Sequence, residues 1–203
     1  MVLAHSELKK IIQNFKNINP EDVRGSSIDL SITEKAKVPK KDIVIDLFEN
    51  KPSDDEIENF FDEIELAKGY ELKPNSFFYT STAEYIKIPK NMCGIIFPRS
   101  TFARIGLLLP SSMYANPGYE GHLPLIIHNH SPFTIKIPPY YKVAQLLLLE
   151  IKGESIPYEH QPAQKYHKEG IIKNPEFETI KLEGEELNYM QVVGVVRSKI
   201  RSF

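Results

Sequence analysis

Hydrophobic and polar residues follow two different periods along the chain, and each period predicts a type of secondary structure. Over residues 6–16 the apolar side chains recur at helical spacing, and Ser6 is the expected N-cap. Between residues 70 and 151, short apolar runs alternate with turns and prolines, which is typical of many short strands. We therefore expect a short N-terminal helix and a mainly β domain of sandwich or barrel type.

The region between these two patterns is mixed. Residues 26–32 and 44–48 alternate between apolar and polar positions, so both are predicted strands. Residues 49–69 are rich in acidic side chains, which predicts a solvated and partly helical segment.

Composition narrows the classes of function. The formal net charge of −2 offers no basic surface for DNA or RNA, so no nucleic-acid partner is expected. A single cysteine, Cys93, excludes a disulfide framework and a zinc site built on cysteines. No apolar run approaches the length of a membrane span, and the first residues do not resemble a secretory signal. A cytoplasmic protein without a membrane partner is the expectation.

The segment 98–106 carries the strongest chemical signal. Two permanent cations, Arg99 and Arg104, and two hydroxyls, Ser100 and Thr101, lie within six residues. Guanidinium groups pair with phosphate oxygens, and a helical turn beginning here would add outward-facing N–H groups. The pattern indicates a phosphate-binding site, although two arginines near a turn also occur as ordinary surface residues.

Two polar residues interrupt otherwise apolar strands. Asp29 lies between apolar neighbours in SSIDLSI, and Gln145 is the one amide in KVAQLLLLEI. Each must find a polar partner or face a cleft, because an unpaired polar group is costly to bury.

Four collinear segments resemble the motifs shared by the dUTPase and dCTP deaminase superfamily. They are SSIDL (26–30), RSTFARIGL (99–107), NPGYEGHLPLIIHN (116–129) and KVAQL (142–146). The resemblance extends over roughly residues 1–170 and is nearest to archaeal-type dUTP pyrophosphatases, which have a deaminase-like framework.

This resemblance implies a distorted β-barrel or jelly roll that assembles as a homotrimer, with active sites built from more than one subunit. It places the family domain at residues 1–175, an acidic insertion at 41–66 and a C-terminal extension at 176–203. The substrate would be dUTP or a related pyrimidine deoxynucleotide, with Mg²⁺ bridging its phosphates.

The resemblance also assigns roles to individual residues. Tyr119 would stack on the sugar and select deoxyribose, and the hairpin at 112–116, beginning with Ser112, would contact the pyrimidine edge. Gln145 would touch phosphate or base. The residues implied in phosphate binding are Arg99, Ser100, Thr101, Arg104, Tyr158 and Lys165.

Two positions depart from the family pattern. The deaminases have a proton-carrying glutamate where this chain has Ile126, and isoleucine cannot transfer a proton. The hydrolases have an aspartate where this chain has Asn116, which can orient water but is a poor base near neutral pH. Asp29 and Glu120 are the candidate substitutes for that base.

The leading hypothesis from the sequence is therefore a dUTP hydrolase that releases dUMP and pyrophosphate, weakened by Asn116. Two alternatives remain: a nucleotide-binding homologue without turnover, and a dCTP deaminase with a different proton carrier.

Overall fold

The computed structural model describes residues 1–47, 52–110, 113–162, 164–176, 181–182 and 185–186. Contacts divide the chain into two units. The first comprises Met1–Pro39 and Asp62–Lys173, and the second comprises Lys40–Phe61 and the described part of Asn174–Phe203.

The helices are few and short. α1 (His5–Ile11) begins with Ala4 at its N-cap, so the expectation of Ser6 in that place is wrong. The Ala4 carbonyl accepts hydrogen bonds from the N–H groups of Glu7 and Leu8, which places Ser6 inside the first turn. The other α-helices are α2 (Asp54–Glu58) and α3 (Ser100–Arg104). Short 3-10 helices occur at Ile12–Asn14, Pro20–Asp22, Leu66–Lys68 and Tyr158–His160.

Strands make up most of the ordered structure. In chain order they are β1 (Ile28–Ser31), β2 (Lys35–Pro39), β3 (Phe61–Glu65), β4 (Glu71–Leu72), β5 (Phe77–Ser81), β6 (Ile86–Lys87), β7 (Met92–Pro98), β8 (Leu107–Leu108), β9 (Tyr114–Ala115), β10 (Glu120–Gly121), β11 (Pro124–Asn129), β12 (Ile135–Lys136), β13 (Lys142–Glu150), β14 (Lys181–Leu182) and β15 (Glu185–Glu186).

Two sheets dominate the first unit. One has four antiparallel strands in the order β1-β13-β7-β9, and the other has five in the order β3-β2-β5-β11-β8. Side chains alternate between the two faces of each strand. On β13, Leu146 and Leu148 are fully buried, whereas Leu147 and Leu149 are only half-buried on the opposite face. Inward-facing residues of both sheets belong to one hydrophobic core.

The second unit contains α2, whose first turn is closed by a capping box between Ser53 and Glu56. Segment 44–47 is not a strand, contrary to the prediction for 44–48; residue 48 lies outside the described residues. Val44 is 89% exposed, and no strand in the described part of the chain pairs with it, so the alternating pattern has no sheet to join.

The mainly β fold and the short N-terminal helix are confirmed. The strands form separate sheets, and a closed barrel is not found among the residues described. No described helix is long and apolar enough to span a lipid bilayer. Ser112 and most of the extension at 176–203 lie outside the described residues.

Candidate functional site

The two polar strand residues noted in the sequence are partners of each other. Asp29 on β1 lies directly opposite Gln145 on β13, and the Gln145 amide Nε2 donates to the Asp29 Oδ1 at 3.1 Å. The same amide lies 3.3 Å from the Ser27 hydroxyl. Asp29 is fully buried, so its charge requires more compensation than one amide provides.

Two arginines supply that compensation. Nε and Nη2 of Arg24 both lie 2.8 Å from Asp29 Oδ2, and Nη2 of Arg99 lies 3.6 Å from the same oxygen. The side chain of Arg24 is 49% exposed and that of Arg99 is 33% exposed. A buried carboxylate therefore holds two guanidinium groups at the surface, and one positive charge remains uncompensated within this set. We call Arg24, Asp29, Arg99 and Gln145 the arginine cluster.

The helix that follows Arg99 confirms the predicted helical turn. α3 begins at Ser100 with Arg99 as its N-cap, and the Arg99 N–H donates to the Val143 carbonyl at 2.9 Å. Phe102 is buried and its ring packs against Tyr141 at a centroid distance of 5.8 Å, which anchors the helix. The predicted phosphate ligands Ser100, Thr101 and Arg104 are all exposed beside the arginine cluster.

The third motif forms a tight turn at residues 116–119. The Tyr119 N–H donates to the Asn116 carbonyl at 3.1 Å, and Gly118 has a φ of +72°, which favours glycine. Asn116 is half-buried. The turn is held from outside by a hydrogen bond from the Ile88 N–H to the Tyr119 carbonyl.

Tyr119 itself is almost completely buried, at 5% exposure. Its hydroxyl lies 3.0 Å from the His122 carbonyl and 3.2 Å from Glu169 Oε2, and its ring packs 5.9 Å from that of Tyr158. Burial raises the pKa of Tyr119 above its usual value, and the neighbouring Glu169 carboxylate adds to the effect. In this conformation the ring is not open to a sugar.

The chain that covers Tyr119 comes from far along the sequence. We call residues 157–162 and 164–169 the covering segment. The Tyr158 N–H donates to the Pro117 carbonyl at 2.7 Å, and Glu169 forms a parallel bridge with Gly121. A Cβ atom on Gly121 would lie 2.7 Å from the Glu169 nitrogen, so this close approach requires glycine.

The remaining predicted residue of this region, Lys165, is half-buried within the covering segment. Its backbone carbonyl accepts from the Lys173 ammonium at 2.6 Å. Tyr158 is buried, and its hydroxyl accepts from the Tyr166 N–H at 3.1 Å. We call Tyr119, Tyr158 and Glu169 the tyrosine cluster.

The arginine cluster and the turn at 116–119 do not meet within one chain. β9 runs antiparallel to β7 with Ala115 opposite Gly94, so the chain leaves β9 toward the start of β7. Arg99 follows the other end of β7, and the distance from Gly94 to Arg99 along an extended strand is roughly 16 Å. The two groups of predicted residues therefore lie at opposite ends of the four-stranded sheet.

Ile126 lies on β11 opposite Tyr79 and is half-buried. A carboxylate elsewhere in the fold was not predicted from the sequence: Glu84 is 3% exposed and accepts hydrogen bonds from the Ser31 N–H and, at 2.6 Å, from the Ser31 hydroxyl. Burial raises the pKa of Glu84, and the Ser31 contacts oppose that shift. These contacts lie at the end of β1, where the register with β13 is irregular between Leu30 and Ser31.

Arg24 was also not identified from the sequence as a partner of Asp29. The sequence signal that points to it is the buried Asp29 itself, which demands a cation, together with an arginine five residues upstream.

A protein-held Mg²⁺ does not fit the arginine cluster. Asp29 is its single carboxylate, and both of its oxygens are already engaged by arginine or glutamine. No group of three or more His, Cys, Asp or Glu residues in the described ranges is arranged to hold a metal ion. Mg²⁺ in proteins is commonly held by one or two carboxylates together with substrate phosphates.

The fold and the arginine cluster define a mainly β protein with a cationic patch at one end of a sheet. The family model for dCTP deaminase-like proteins matches residues 2–151. The chain belongs to the dCTP deaminase-like family, as the four motifs predicted.

Individual relatives agree with this assignment. The dUMP-forming dCTP deaminase of Nanoarchaeum equitans is 30% identical over 192 residues, covering 86% of this chain and 96% of that protein. The deoxyuridine 5'-triphosphate nucleotidohydrolase of Methanocaldococcus jannaschii is 30% identical over 146 residues, covering 71% and 89%. The crystal structure of the dCTP deaminase of Agrobacterium tumefaciens is similar in fold, with a TM-score of 0.59 at 19% identity over 72% of this chain and 48% of that one.

Proposed function

We propose that the chain hydrolyses dUTP to dUMP and pyrophosphate. The observation that carries this proposal is the arginine cluster, in which a buried carboxylate fixes Arg99 beside the exposed hydroxyls of Ser100 and Thr101. Guanidinium forks fixed in advance bind phosphate oxygens without a large ordering cost. The names of the two relatives above, a dUMP-forming deaminase and a dUTP hydrolase, support a pyrimidine deoxynucleoside triphosphate as the ligand.

In this proposal Asp29 positions the arginines and does not act as the base. It is fully buried and its two oxygens accept from Arg24 and Gln145, so it has no open face toward a water molecule. Asn116 then orients the attacking water at the α-phosphate. As the water oxygen bonds to the α-phosphorus, the bond to the bridging oxygen breaks, pyrophosphate leaves, and the proton of the water passes to solvent. The loss of general-base catalysis costs about 10²–10⁴-fold in rate, so a slow hydrolase is expected.

Mg²⁺ would arrive with the triphosphate, since the arginine cluster offers it no carboxylate. When bound there, it would neutralise charge on the phosphate oxygens. The arginines, Ser100 and Thr101 would bind the phosphates whether or not the ion is present.

Deamination is the less favoured activity. Ile126 occupies the position of the family's glutamate, and an aliphatic side chain cannot move a proton between water and the ring. Its cross-strand neighbour Tyr79 does not compensate, because burial raises the pKa of Tyr79 and keeps its phenol protonated.

A complete site requires a second copy of the chain in this proposal, because the arginine cluster and Asn116 lie at opposite ends of one sheet. The outward face between them carries apolar side chains, with Ile95 opposite both Leu147 and Tyr114 and with Phe97 two residues further along β7. Phe97 is 42% exposed and Tyr114 is 50% exposed. Packing this face against another copy, as in the homotrimer implied by the resemblance, would bring the arginine cluster of one chain toward Asn116 of the next.

The sugar contact of Tyr119 remains part of the proposal and requires the covering segment to move. Tyr158 and Lys165 belong to that segment, so they would contact the triphosphate only when it is rearranged around the nucleotide.

The test is to incubate the protein with Mg²⁺ and either dUTP or dCTP and to assay pyrophosphate and ammonia separately. Pyrophosphate from dUTP without ammonia from dCTP is the expected result, and Arg99→Gln should abolish most of it. Ammonia from dCTP would contradict the conclusion that Ile126 prevents deamination. If dUTP raises the melting temperature and neither product forms, the chain binds the nucleotide without turnover.

A second variant isolates the missing base. Asn116→Asp should raise the rate of pyrophosphate release if the absent carboxylate is the main defect. The gain should lie within the roughly 10²–10⁴-fold effect of general-base catalysis. An unchanged or lower rate would contradict the placement of Asn116 beside the attacking water.

A further inference from the structure

Arg24 is held in a defined position by the backbone around it. It begins the turn 24–27, which is closed by a 2.8 Å hydrogen bond from the Arg24 N–H to the Ser27 carbonyl and by a bridge between Val23 and Ile28. His5 at the start of α1 ties down the same turn, through its N–H to the Gly25 carbonyl at 2.8 Å and its ring nitrogen Nδ1 at 3.0 Å from the Arg24 carbonyl. The backbone that carries the Arg24 side chain is therefore held in place by several hydrogen bonds.

The contacts of Arg24 leave part of its donor capacity unused by Asp29. A guanidinium has five N–H donors in a fixed plane, and only the edge formed by Nε and Nη2 faces Asp29 Oδ2. The side chain is 49% exposed, which leaves room for a ligand to reach the donors that Asp29 does not use.

Charge balance supports the same conclusion. Arg99 approaches the same carboxylate oxygen, so two guanidinium groups flank one negative charge. Gln145 adds no charge, so the formal charges of Arg24, Asp29 and Arg99 leave one positive charge in excess. The surface around Asp29 is therefore cationic, which favours an anionic ligand.

We propose that Arg24 is a second phosphate-binding arginine, which with Arg99 forms a pair that selects a polyphosphate chain over a monophosphate. Asp29 positions both guanidinium groups on one oxygen, close enough for one polyphosphate to contact both. This inference rests on the proposed function, since it presumes that a deoxynucleoside triphosphate is the ligand. It also explains how phosphate charge is neutralised at a surface that offers Mg²⁺ no carboxylate.

The experiment measures dissociation constants for dUTP and dUMP by titration calorimetry on the full chain, with Mg²⁺ removed by EDTA so that dUTP is not turned over. The proteins compared are the wild type, Arg24→Gln, Arg24→Lys and Lys68→Gln. Lys68 is exposed and lies in a different part of the fold, so its substitution controls for the loss of one positive charge. Arg24→Gln should weaken dUTP binding about 10- to 100-fold and dUMP binding less than about threefold. Arg24→Lys, which keeps the charge without the fork, should fall between, and Lys68→Gln should match the wild type.

Each other outcome overturns a stated claim. If dUTP and dUMP weaken equally in Arg24→Gln, Arg24 has a structural role and the inference is wrong; Arg24→Lys gives the same comparison if the glutamine variant does not fold. If Arg24→Gln binds dUTP as tightly as the wild type does, the inference alone fails. If the wild type binds neither nucleotide, the proposed function fails and this inference fails with it.

Discussion

The arginine cluster and the tyrosine cluster differ in how they present their polar groups. In the first, a buried carboxylate holds Arg24 and Arg99 at the surface, with one-third to one-half of each side chain exposed. In the second, the polar tip of Tyr119 is turned inward to Glu169 and its ring is covered by Tyr158. In the proposed function, the first region binds the phosphates as it stands, whereas the second must open before it contacts the sugar. The phosphates would therefore bind before the sugar.

The arginine cluster depends on the charge of Asp29, and removing that charge should have the largest effect. Asp29→Asn leaves two cations without a counter-ion, so we expect a loss of about 2–3 kcal/mol in the free energy of unfolding, less than for a fully buried pair because both arginines reach solvent. Urea unfolding measures it. Asp55→Asn, at an exposed position, should change stability by less than about 0.5 kcal/mol. Equal effects in the two variants would contradict the role assigned to Asp29.

The tyrosine cluster depends on the close contact between Gly121 and Glu169. Gly121→Ala should lower the free energy of unfolding by about 1–2 kcal/mol, because Gly121 has a φ of +149° and the new Cβ would meet the Glu169 backbone. The same clash should detach the covering segment. Hydrogen exchange should then increase at residues 119–122 and 166–169.

Gly153→Ala is the matched control for this change. Gly153 also has a positive φ, of +100°, but a Cβ atom added there would meet nothing within 4 Å. Gly153→Ala should lower the free energy of unfolding through backbone strain, but hydrogen exchange at residues 119–122 should not become faster. Identical exchange in both variants would mean that the contact with Glu169 does not hold the segment.

The buried hydroxyl of Tyr119 should give a smaller, pH-dependent effect. Because burial raises its pKa, the stability that this tyrosine contributes is complete below its ordinary pKa of about 10 and is lost as the pH rises above that value. Tyr119→Phe should lower the free energy of unfolding by about 1 kcal/mol at neutral pH, because a hydrogen bond is lost. The difference from the wild type should narrow as the pH approaches 11, in unfolding curves measured at each pH.

Tyr140→Phe provides the comparison, because Tyr140 is 59% exposed. At neutral pH this substitution should change the free energy of unfolding by less than about 0.5 kcal/mol. A difference between Tyr119→Phe and the wild type that does not narrow at high pH would show that the Tyr119 phenol is not buried in solution.

The sequence predicted the local features of both regions better than their long-range contacts. The short strands and the helical turn after Arg99 followed from local patterns, and so did the need of Asp29 and Gln145 for partners. That these two residues pair with each other depends on β1 lying beside β13, which local periodicity does not specify. The role of Arg24 depends on the same pairing.

The burial of Tyr119 could not be predicted either. It results from a segment about fifty residues downstream that packs on the turn through Gly121, and neither partner shows this in its own sequence pattern. The prediction of a strand at 44–48 was wrong for a related reason. An alternating pattern forms a strand only where a neighbouring strand is available to pair with it, and residues 44–47 are not in a strand.

The central claim is that the arginine cluster binds phosphate, and calorimetric titration of the wild type and Arg99→Gln with dUTP and deoxyuridine tests it most directly. The wild type should bind dUTP at least about 100-fold more tightly than deoxyuridine, and Arg99→Gln should reduce that ratio by about tenfold or more. Equal affinity for the two ligands in the wild type, or a ratio unchanged in Arg99→Gln, would contradict the claim.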